Sequence, residues 1–342
     1  MFSDCMHDKS SNYPVCWCNQ EFTFATKSHM VDLLRLSALH LPLFLRTMDR
    51  MFEYQLPLWR PPSEADSLIL QATVGCSWNR CSFCSMYRGK TFTARPLADV
   101  LSDVDHLARE WPEARRVFLA DGDALVLSTE HLLRILGHLQ RRLPRLARAS
   151  CYALPHNLLR KTPGELLRLR EGGLRLLYYG IETGDPALLK RVVKGATPRG
   201  MAEGLAKAAD AGIKVSATVV LGLAGRHGWR EHIDGTVALL DRVPLNYLST
   251  LQLGLEPSVQ AGFLRRFEGT FQPQDDTGIL QELERLITRT HPPRPLIFRS
   301  NHASNALPLA GNLPRDRKRL LREITAVGCG ERGLRPLWRR GF

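Results

Sequence analysis

The sequence contains no apolar stretch long enough to cross a membrane. A transmembrane helix needs about 20 consecutive apolar residues, whereas the most apolar run, Leu36 to Leu45, is short and contains His40 and Pro42. The first residues include Asp4 and Asp8 and do not form a basic region followed by an apolar one, so no secretion signal is predicted. We therefore expect a reducing, cytoplasmic location and no membrane partner.

Acidic residues are few relative to basic ones. The chain has 47 Lys and Arg against 34 Asp and Glu, which gives a net charge of +13. Such an excess favours an anionic partner such as RNA, but solvated surface arginines produce the same balance. The basic residues are spread over many helical segments without interleaved aromatic residues. The support for a nucleic-acid partner is therefore weak.

The sequence also lacks a second CxxC pair of the kind that completes a zinc ribbon. The eight cysteines form an N-terminal group, a tight cluster and two isolated residues: Cys5, Cys16 and Cys18; Cys76, Cys81 and Cys84; Cys151 and Cys329. The spacing of the N-terminal group does not suit a closed tetrahedral zinc site. A tight cluster in a long, reduced chain indicates metal binding or catalysis rather than a disulfide framework.

Residues 1–47 differ from the rest of the chain because they show no clear hydrophobic period. We expect either a poorly ordered extension or a translation start at Met48 or Met51. Residues 48–260 are predicted to form the core domain. Residues 261–342 are predicted to be a C-terminal extension packed on that core, because no Pro/Gly/Ser-rich linker separates the two.

From residue 68 onward, short apolar strands alternate with helices. Six strands are predicted, at 68–74, 117–120, 149–154, 176–181, 215–221 and 248–253. Helices are predicted at 96–111, 128–142, 166–170, 185–193, 198–211 and 229–240, and the extension adds helices near 279–288 and 315–327 and a strand near 296–299. Such alternation gives βαβ units and a parallel sheet. The predicted fold class is α/β, a partial (βα)6 TIM-like barrel with a small C-terminal extension, whose functional residues lie at the carboxyl ends of its strands.

The strongest chemical signal is the run Gly75-Cys76-Ser-Trp-Asn-Arg-Cys81-Ser-Phe-Cys84, directly after the first strand. Three thiolates within nine residues can hold one iron–sulfur cubane, and a cubane with three protein ligands keeps one iron open for a substrate or cofactor. A closed zinc site and an electron-carrying cluster with a fourth ligand are the alternatives. We therefore predict a [4Fe–4S] cluster on Cys76, Cys81 and Cys84.

With this motif the sequence resembles the radical S-adenosylmethionine superfamily, in particular the branch of elongator-type, methylthiotransferase and coproporphyrinogen dehydrogenase enzymes. The usual spacing there is C-x3-C-x2-C, and here it is C-x4-C-x2-C. The chain looks closest to an uncharacterised subgroup that shares the longer spacing and the following Met86-Tyr87-Arg88-Gly89. The resemblance covers roughly residues 66 to 260.

The resemblance implies two cofactors, the [4Fe–4S] cluster and S-adenosylmethionine, and an external reductant such as flavodoxin or ferredoxin. The residues that it implies for binding S-adenosylmethionine are Phe83, Asp121, Gly122, Asp123, Glu182, Thr183, Lys194 and Gly222. Phe83 would offer its backbone to adenine, and Gly222 would allow close packing against the same ring. Asp121, Gly122 and Asp123 fall where relatives bind the methionine ammonium, although they could instead form an Asx turn at a strand end.

Glu182 and Thr183 fall in Tyr-Gly-Ile-Glu-Thr-Gly, which resembles the Gly-x-Glu-Ser-Gly of relatives. By resemblance, Glu182 would accept a hydrogen bond from a ribose hydroxyl, and Thr183 would donate to the cofactor carboxylate. Lys194 is one of three basic residues, with Lys190 and Arg191, that could neutralise this carboxylate; a solvated basic helix face is the alternative for each.

The polar run Asn301-His302-Ala303-Ser304-Asn305 follows a predicted short strand. Asn301, His302 and Asn305 are the candidate catalytic or substrate-orienting residues, because amides donate and accept and His can carry a proton near neutral pH. The alternative is a turn whose side chains bond the local backbone.

Together these observations predict an enzyme that reductively cleaves S-adenosylmethionine and uses the resulting 5′-deoxyadenosyl radical to abstract hydrogen from a substrate. An iron–sulfur electron carrier or cluster-binding protein without radical catalysis is the alternative. A carrier would not need the carboxylates Asp121, Asp123 and Glu182 at later strand ends. The substrate cannot be identified from the sequence.

Overall fold

The computed structural model describes residues 54–341. The chain divides into two compact units, of which one holds residues 59–341 and the other contributes only residues 54–58 to the described part. The predictions made for residues 1–47, including those for Cys5, Cys16 and Cys18, lie outside the described residues. The strands and helices described here belong to the unit that begins at Trp59.

An eight-stranded sheet forms the centre of this unit, with the order β1-β4-β5-β6-β7-β8-β9-β10. Neighbouring strands are parallel from β1 through β9, and β10 runs antiparallel to β9. The bounds are β1 Leu68–Gln71, β4 Arg116–Ala120, β5 Arg148–Ala153, β6 Leu174–Glu182, β7 Lys214–Leu221, β8 Tyr247–Gln252, β9 Leu296–Ser300 and β10 Leu309–Leu313. A separate antiparallel pair consists of β2 Thr73–Val74 and β3 Thr93–Ala94. The predicted α/β class and partial TIM-like barrel are confirmed.

The helices follow the strands as the sequence predicts. Their bounds are α1 Leu97–Glu110, α2 Thr129–Arg142, α3 Pro155–Arg160, α4 Pro163–Glu171, α5 Pro186–Arg191, α6 Pro198–Asp210, α7 Gly225–Leu240, α8 Pro257–Arg265, α9 Asp276–Arg289 and α10 Arg317–Gly328. Side-chain caps fix several of the starts. Ser128 accepts from the backbone N–H of His131 at the start of α2, and Thr162 forms a capping box with Glu165 at the start of α4. Within residues 54–341, no helix combines the length and apolarity that crossing a bilayer requires.

The first predicted strand, 68–74, is divided in the structure. The backbone N–H of Ala72 bonds to the carbonyl of Ala120 at 2.7 Å, and its own carbonyl accepts from Arg95 at 3.1 Å. The chain therefore leaves the main sheet at Ala72 and pairs with β3 instead. This change of partner aims the following residues, from Gly75 onward, across the carboxyl end of the barrel.

Strands β3 and β10 and helices α3 and α8 were not predicted. Strand β10 contains Gly311 and Asn312, which disfavour strands on their own, but its Leu309 and Leu313 are buried and it pairs along its length with β9. Tertiary pairing therefore decides its conformation. The segment 261–341 thus contributes two strands to the main sheet.

Aromatic side chains and one buried carboxylate fill part of the barrel interior. Phe118, Tyr152 and Tyr178 pack with ring centroids 5.2–6.2 Å apart in edge-to-face contacts. The Tyr178 hydroxyl donates to Oε1 of Glu64 at 2.7 Å, and Arg148 donates to the same oxygen at 2.8 Å. Glu64 has no exposed surface, so this network ties the segment before β1 to β5 and β6.

We predict that Glu64→Gln lowers the free energy of unfolding by about 2–3 kcal/mol, because it removes the charge that pairs with Arg148 and weakens a hydrogen bond to a charged acceptor. Urea unfolding followed by circular dichroism measures the change. Asp66→Asn is the matched control, because Asp66 pairs with Arg116 at 3.0 Å but is 79% exposed; its cost should stay below about 1 kcal/mol. Equal costs for the two substitutions would show that the Glu64 network does not stabilise the barrel.

Candidate cluster and cofactor site

The three clustered cysteines lie on one loop at the carboxyl end of the barrel. Burial raises the pKa of the Cys76 and Cys84 thiols, and it raises that of Cys81 to about 12. The Lys194 ammonium acts in the opposite direction on all three. The thiols therefore share one partly buried region with a cation beside it, a setting that favours bound thiolates once a metal replaces their protons.

One arginine holds the backbone of this loop. The guanidinium of Arg88 donates to the carbonyls of Asn79 at 2.9 Å, Cys81 at 2.6 Å and Cys84 at 3.1 Å. Asn79, with a φ of 36°, donates from its side chain to the carbonyl of Tyr87 at 2.7 Å. Its backbone N–H lies 3.5 Å from the Sγ atom of Cys76. Arg88 and Asn79 thus fix the backbone of the loop that carries the three cysteines, and they do so without occupying the thiols.

A tryptophan in the loop anchors it to the turn between α5 and α6. The indole N–H of Trp78 donates to the carbonyl of Val193 at 2.7 Å, and the ring lies against Gly195. A Cβ added at Gly195, which has a φ of +70°, would stand 2.3 Å from that ring. The backbone N–H of Ser82 also donates to the carbonyl of Val192 at 2.9 Å. Glycine is therefore required at 195 for the loop to reach the turn that carries Lys194.

The donor set fits a cubane better than a single metal ion. Among residues 54–341, no three His, Cys, Asp or Glu side chains converge as the ligands of one ion. In a cubane each thiolate binds a different iron, so three thiols need not converge on one point. Three thiols on a loop, residues 75–92, that contains no fourth cysteine and no histidine match a cluster with one open iron.

Asp121, Gly122 and Asp123 follow β4, as predicted, but the two carboxylates have different partners. Oδ2 of Asp121 accepts from the ammonium of Lys90 at 2.7 Å and from the N–H of Gly75 at 3.1 Å, and the ion pair is almost fully buried. Gly122 lies against the ring of Tyr87, where an added Cβ would stand 2.6 Å from the ring. Asp121 and Gly122 therefore hold the start of the cysteine loop in place.

Asp123 faces the cysteine loop and a histidine that the sequence analysis did not single out. Its Oδ2 accepts a hydrogen bond from Ser77 and lies 3.8 Å from Nε2 of His156, on α3. His156 also lies 3.2 Å from the Ser77 hydroxyl. Burial raises the pKa of Asp123 to about 6. Asn157 and the backbone of Val126 also interact with this carboxyl and oppose the effect of burial on its pKa. Oδ1 of Asp123, like Oδ1 of Asp121, is buried without a partner at hydrogen-bond geometry among the described residues, and such an atom favours a donor from a bound ligand.

Glu182 and Lys194 form a buried ion pair beside the cysteines. Nζ of Lys194 lies 2.8 Å from Oε1 of Glu182, and both charges interact with the thiol of Cys81. The pair needs Gly180, because a Cβ there would stand 2.0 Å from the Glu182 oxygen. Glu182 has a φ of +63°, at an irregularity in the pairing of β6 with β7. The end of β6 is thus shaped to present this carboxylate.

The hydroxyl of Thr183 is committed to a buried network. His232 donates from Nε2 to the carbonyl of Val220 at 3.1 Å, and burial lowers its pKa to about 4, so the ring is neutral. Its Nδ1 therefore accepts from the Thr183 hydroxyl at 2.8 Å, and the N–H of Asp185 donates to the same hydroxyl at 3.0 Å. Thr183 fixes the turn that follows Glu182.

A second buried carboxyl supports the end of β7. Oε2 of Glu282 accepts from the N–H of Gly222 at 2.7 Å and lies 3.9 Å from His232. Gln274 donates to the other oxygen at 3.0 Å. Gly222 has a φ of +78°, a conformation that glycine adopts without strain. Glu282 of α9 therefore fixes the turn at Gly222, which is predicted to pack against adenine.

The side chain of Phe83 packs in an apolar cluster with residues of α5, β7 and α8. The buried members of this cluster are Leu188, Val192, Val220, Leu223, Phe263 and Phe267. This packing fixes the loop between Cys81 and Cys84 and leaves the backbone of Phe83 as the part that the resemblance assigns to adenine.

The polar run at 301–305 is tied to β8. Asn305 accepts from the N–H of Gln252 at 2.8 Å and donates to the carbonyl of Thr250 at 2.8 Å. Arg335 donates to the carbonyls of His302, Ala303 and Asn305 at 2.7–3.1 Å, and burial lowers the pKa of His302 to about 4. These contacts favour a structural turn for Asn305. Asn301 is exposed, and the substrate role of Asn301 and His302 stays a prediction.

Comparison with known proteins agrees with this geometry. Residues 70–239 match the model of the radical SAM superfamily, named for S-adenosylmethionine. This chain belongs to the radical SAM superfamily. The matched segment contains the cysteine loop, Asp123, Glu182 and Gly222, which lie at or just beyond the carboxyl ends of strands, and Lys194, which lies in the turn between α5 and α6.

Individual radical SAM relatives are distant. An uncharacterized methyltransferase from Pyrococcus horikoshii is 21% identical over 181 residues, which are 52% of this chain and 38% of that protein. The structure of coproporphyrinogen III oxidase (HemN) from Escherichia coli is 17% identical, with a TM-score of 0.51, over 65% of this chain and 52% of that one. The cobalamin-dependent S-adenosylmethionine radical enzyme OxsB gives a TM-score of 0.46 at 16% identity, over 67% of this chain and 33% of that one. The chain thus spans about half or less of each of these proteins.

Several residues of this radical SAM site were missed by the sequence analysis. Arg88 was visible only as part of Met86-Tyr87-Arg88-Gly89, and nothing in that run shows that its guanidinium bonds three carbonyls. Ser77, Lys90 and His156 gave no local signal. The partners of His232 and Glu282 lie 49 and 60 residues away in the chain.

We predict that replacing Cys76, Cys81 or Cys84 by Ala abolishes cluster binding after anaerobic reconstitution, because each thiolate binds a different iron. Iron and sulfide per folded protein, together with the brown absorption of the cluster, measure the loss. Cys329→Ala is the control, because that residue is exposed on the far end of α10. Full iron in the Cys81→Ala protein would contradict the assignment.

The buried carboxyl of Glu282 predicts a pH dependence of stability. Burial raises its pKa from 4.5 to about 7, so between these values the folded protein holds a proton that the unfolded chain has released. The free energy of unfolding should therefore fall as the pH rises from about 4.5 to 7, by roughly 3 kcal/mol at most. Glu282→Gln keeps an oxygen for the N–H of Gly222 and removes the titration. Urea unfolding from pH 5 to 8 should show a flatter profile for this variant than for wild type and Glu203→Gln; parallel profiles would contradict the prediction.

Proposed function

We propose that this protein is an enzyme that reductively cleaves S-adenosylmethionine. The observation that carries the proposal is the meeting of three thiols, an ion pair and a carboxylate at the carboxyl ends of the strands within a radical SAM domain. When bound, a [4Fe–4S] cluster supplies the electron that breaks a sulfonium carbon–sulfur bond, which gives methionine and a 5′-deoxyadenosyl radical able to abstract hydrogen. The chain supplies the ligands Cys76, Cys81 and Cys84.

The remaining residues suit the two ends of S-adenosylmethionine. Asp123, whose Oδ1 is buried without a partner at hydrogen-bond geometry among residues 54–341, would accept a hydrogen bond from the methionine amino group. The ammonium of Lys194 can neutralise the methionine carboxylate while it also balances Glu182. Glu182 then remains an acceptor for a ribose hydroxyl, and the backbone of Phe83 and the turn at Gly222 contact adenine. Buried positions for these groups exclude water and strengthen each charge interaction.

An external one-electron reductant, such as flavodoxin or ferredoxin, is required by the proposed chemistry, and a reducing cytoplasmic compartment would keep the thiols available for the cluster. Asn301 and His302 remain candidates for contact with the substrate.

The proposal is tested by anaerobic reconstitution followed by incubation with S-adenosylmethionine and dithionite. Mass spectrometry should detect 5′-deoxyadenosine and methionine in equal amounts. The Cys81→Ala protein, treated in the same way, should give neither product. A reconstituted wild-type protein that holds its full cluster but forms no 5′-deoxyadenosine would favour the electron-carrier alternative.

We predict that Glu182→Gln weakens the binding of S-adenosylmethionine by about 5- to 150-fold, which corresponds to roughly 1–3 kcal/mol for a lost charge-assisted hydrogen bond. The iron content should not change, because Glu182 is not a cluster ligand. Anaerobic calorimetry on the reconstituted protein measures the affinity. Glu203→Gln, an exposed position on α6, should leave the affinity unchanged. An unchanged affinity for Glu182→Gln would assign Glu182 a structural role.

A further inference from the structure

An arginine-lined groove lies on the outer side of the cysteine loop. It has a volume of about 620 Å³ and runs between this loop and α8. Its lining residues are Arg80, Ser82, Arg88, Ser258, Val259, Gly262, Arg265 and Arg266. Four of the eight are arginines and none is acidic, so the groove carries a concentrated positive charge.

Three of these arginines lack a carboxylate partner. Within residues 59–341, no ion pair involves Arg80, Arg265 or Arg266, and all three are exposed. The guanidinium of Arg80 lies over the face of Trp78, 5.3 Å from the ring centre. Some arginines elsewhere are paired, as in Arg226 with Asp275 and Arg319 with Glu323, whereas Arg199 and Arg322 are exposed without an ion pair among the described residues. What distinguishes the groove is that three exposed, unpaired arginines lie together on it.

The groove is adjacent to the cluster ligands. Arg80 directly precedes Cys81 in the chain, and Arg88 bonds the carbonyls of Cys81 and Cys84. The thiols of these cysteines interact instead with Lys194 and Glu182, at the strand ends. The groove therefore approaches the cluster site through the loop backbone and leaves the cofactor side of the loop free.

We propose that this groove is the docking surface for an acidic electron-transfer protein. The proposal rests on the proposed function, which requires one electron per cleavage from an external donor. Electron transfer slows steeply with distance, so the donor must approach the cysteine loop closely. Uncompensated positive charge around that approach would steer a protein that presents carboxylates around its redox group. In the transfer itself the reduced donor loses one electron and the cluster gains it, with no bond made or broken.

RNA is the less favoured occupant. No aromatic side chain lines the groove for base stacking, and a substrate must reach the cofactor side of the loop rather than its outer face. A small anion would contact only part of a 620 Å³ groove.

The test uses the reconstituted protein and a flavodoxin as the probe. Charge reversal in Arg265→Glu/Arg266→Glu changes two groove residues that hold neither the cysteine loop nor the cofactor. Arg199→Glu/Arg322→Glu changes the net charge equally at two exposed positions without ion pairs, on α6 and α10. Thermal melting and iron content confirm that both variants fold and hold the cluster.

Calorimetry at about 50 mM salt, where screening is weak, should give a flavodoxin Kd at least about 10-fold higher for the groove variant and within about twofold of wild type for the control. The cleavage of S-adenosylmethionine driven by reduced flavodoxin should fall in parallel, whereas that driven by dithionite should not.

The outcomes separate the two proposals. If wild type forms no 5′-deoxyadenosine with dithionite, the proposed function is wrong. The comparison of flavodoxin affinity between wild type and the groove variant would still test the docking proposal. Equal flavodoxin affinity in wild type and the groove variant would overturn the docking proposal. A tRNA affinity that falls in the groove variant while flavodoxin affinity stays unchanged would overturn it in favour of RNA.

Discussion

Parallel pairing of the strands is the constraint on which the site depends. Because β1 and β4 through β8 run in the same direction, their carboxyl ends meet at one edge of the barrel. Residues separated by more than 100 positions, such as Cys81 and Lys194, thereby come within electrostatic reach. Each strand end then needs its own local device to present a side chain. At β6 the pairing with β7 is irregular, and Glu182 has a positive φ. Gly180, which has no Cβ, leaves space for the Glu182 carboxylate.

The residues that shape the site are for the most part not those that would touch a cofactor. Arg88 bonds three carbonyls of the cysteine loop, Lys90 and Asp121 fix its start, and Trp78 anchors it to the turn at Gly195. Buried polar groups with full sets of partners specify one geometry more strongly than apolar contacts, because an unmatched partner is costly. Other polar groups are left where a ligand or a protein could meet them: Oδ1 of Asp123 inside, and the exposed Arg265 and Arg266 outside.

The sequence predicted the pattern of the fold well, because that pattern is local. Apolar periods set most of the strands and helices, and the helix predicted at 128–142 is present as Thr129–Arg142. The division of the strand at 68–74 was not predictable, since it depends on the pairing of Ala72 with Ala120, 48 residues away. Strand β10 was missed for the same reason. The cysteines could be found from their spacing alone. The partners of Asp121 and Asp123 could not, because these two residues, only two positions apart, contact distant and different parts of the chain: Lys90 and His156.

The central claim is that the cysteine loop holds a cluster with one iron left open for S-adenosylmethionine. The most direct test is electron paramagnetic resonance of the reduced, reconstituted protein. The S-adenosylmethionine that is added carries ¹⁵N at its amino nitrogen. The account predicts a change in the cluster spectrum on addition of S-adenosylmethionine and a hyperfine coupling to the label. An identical spectrum with and without S-adenosylmethionine, at a concentration shown by calorimetry to saturate the protein, would contradict the account.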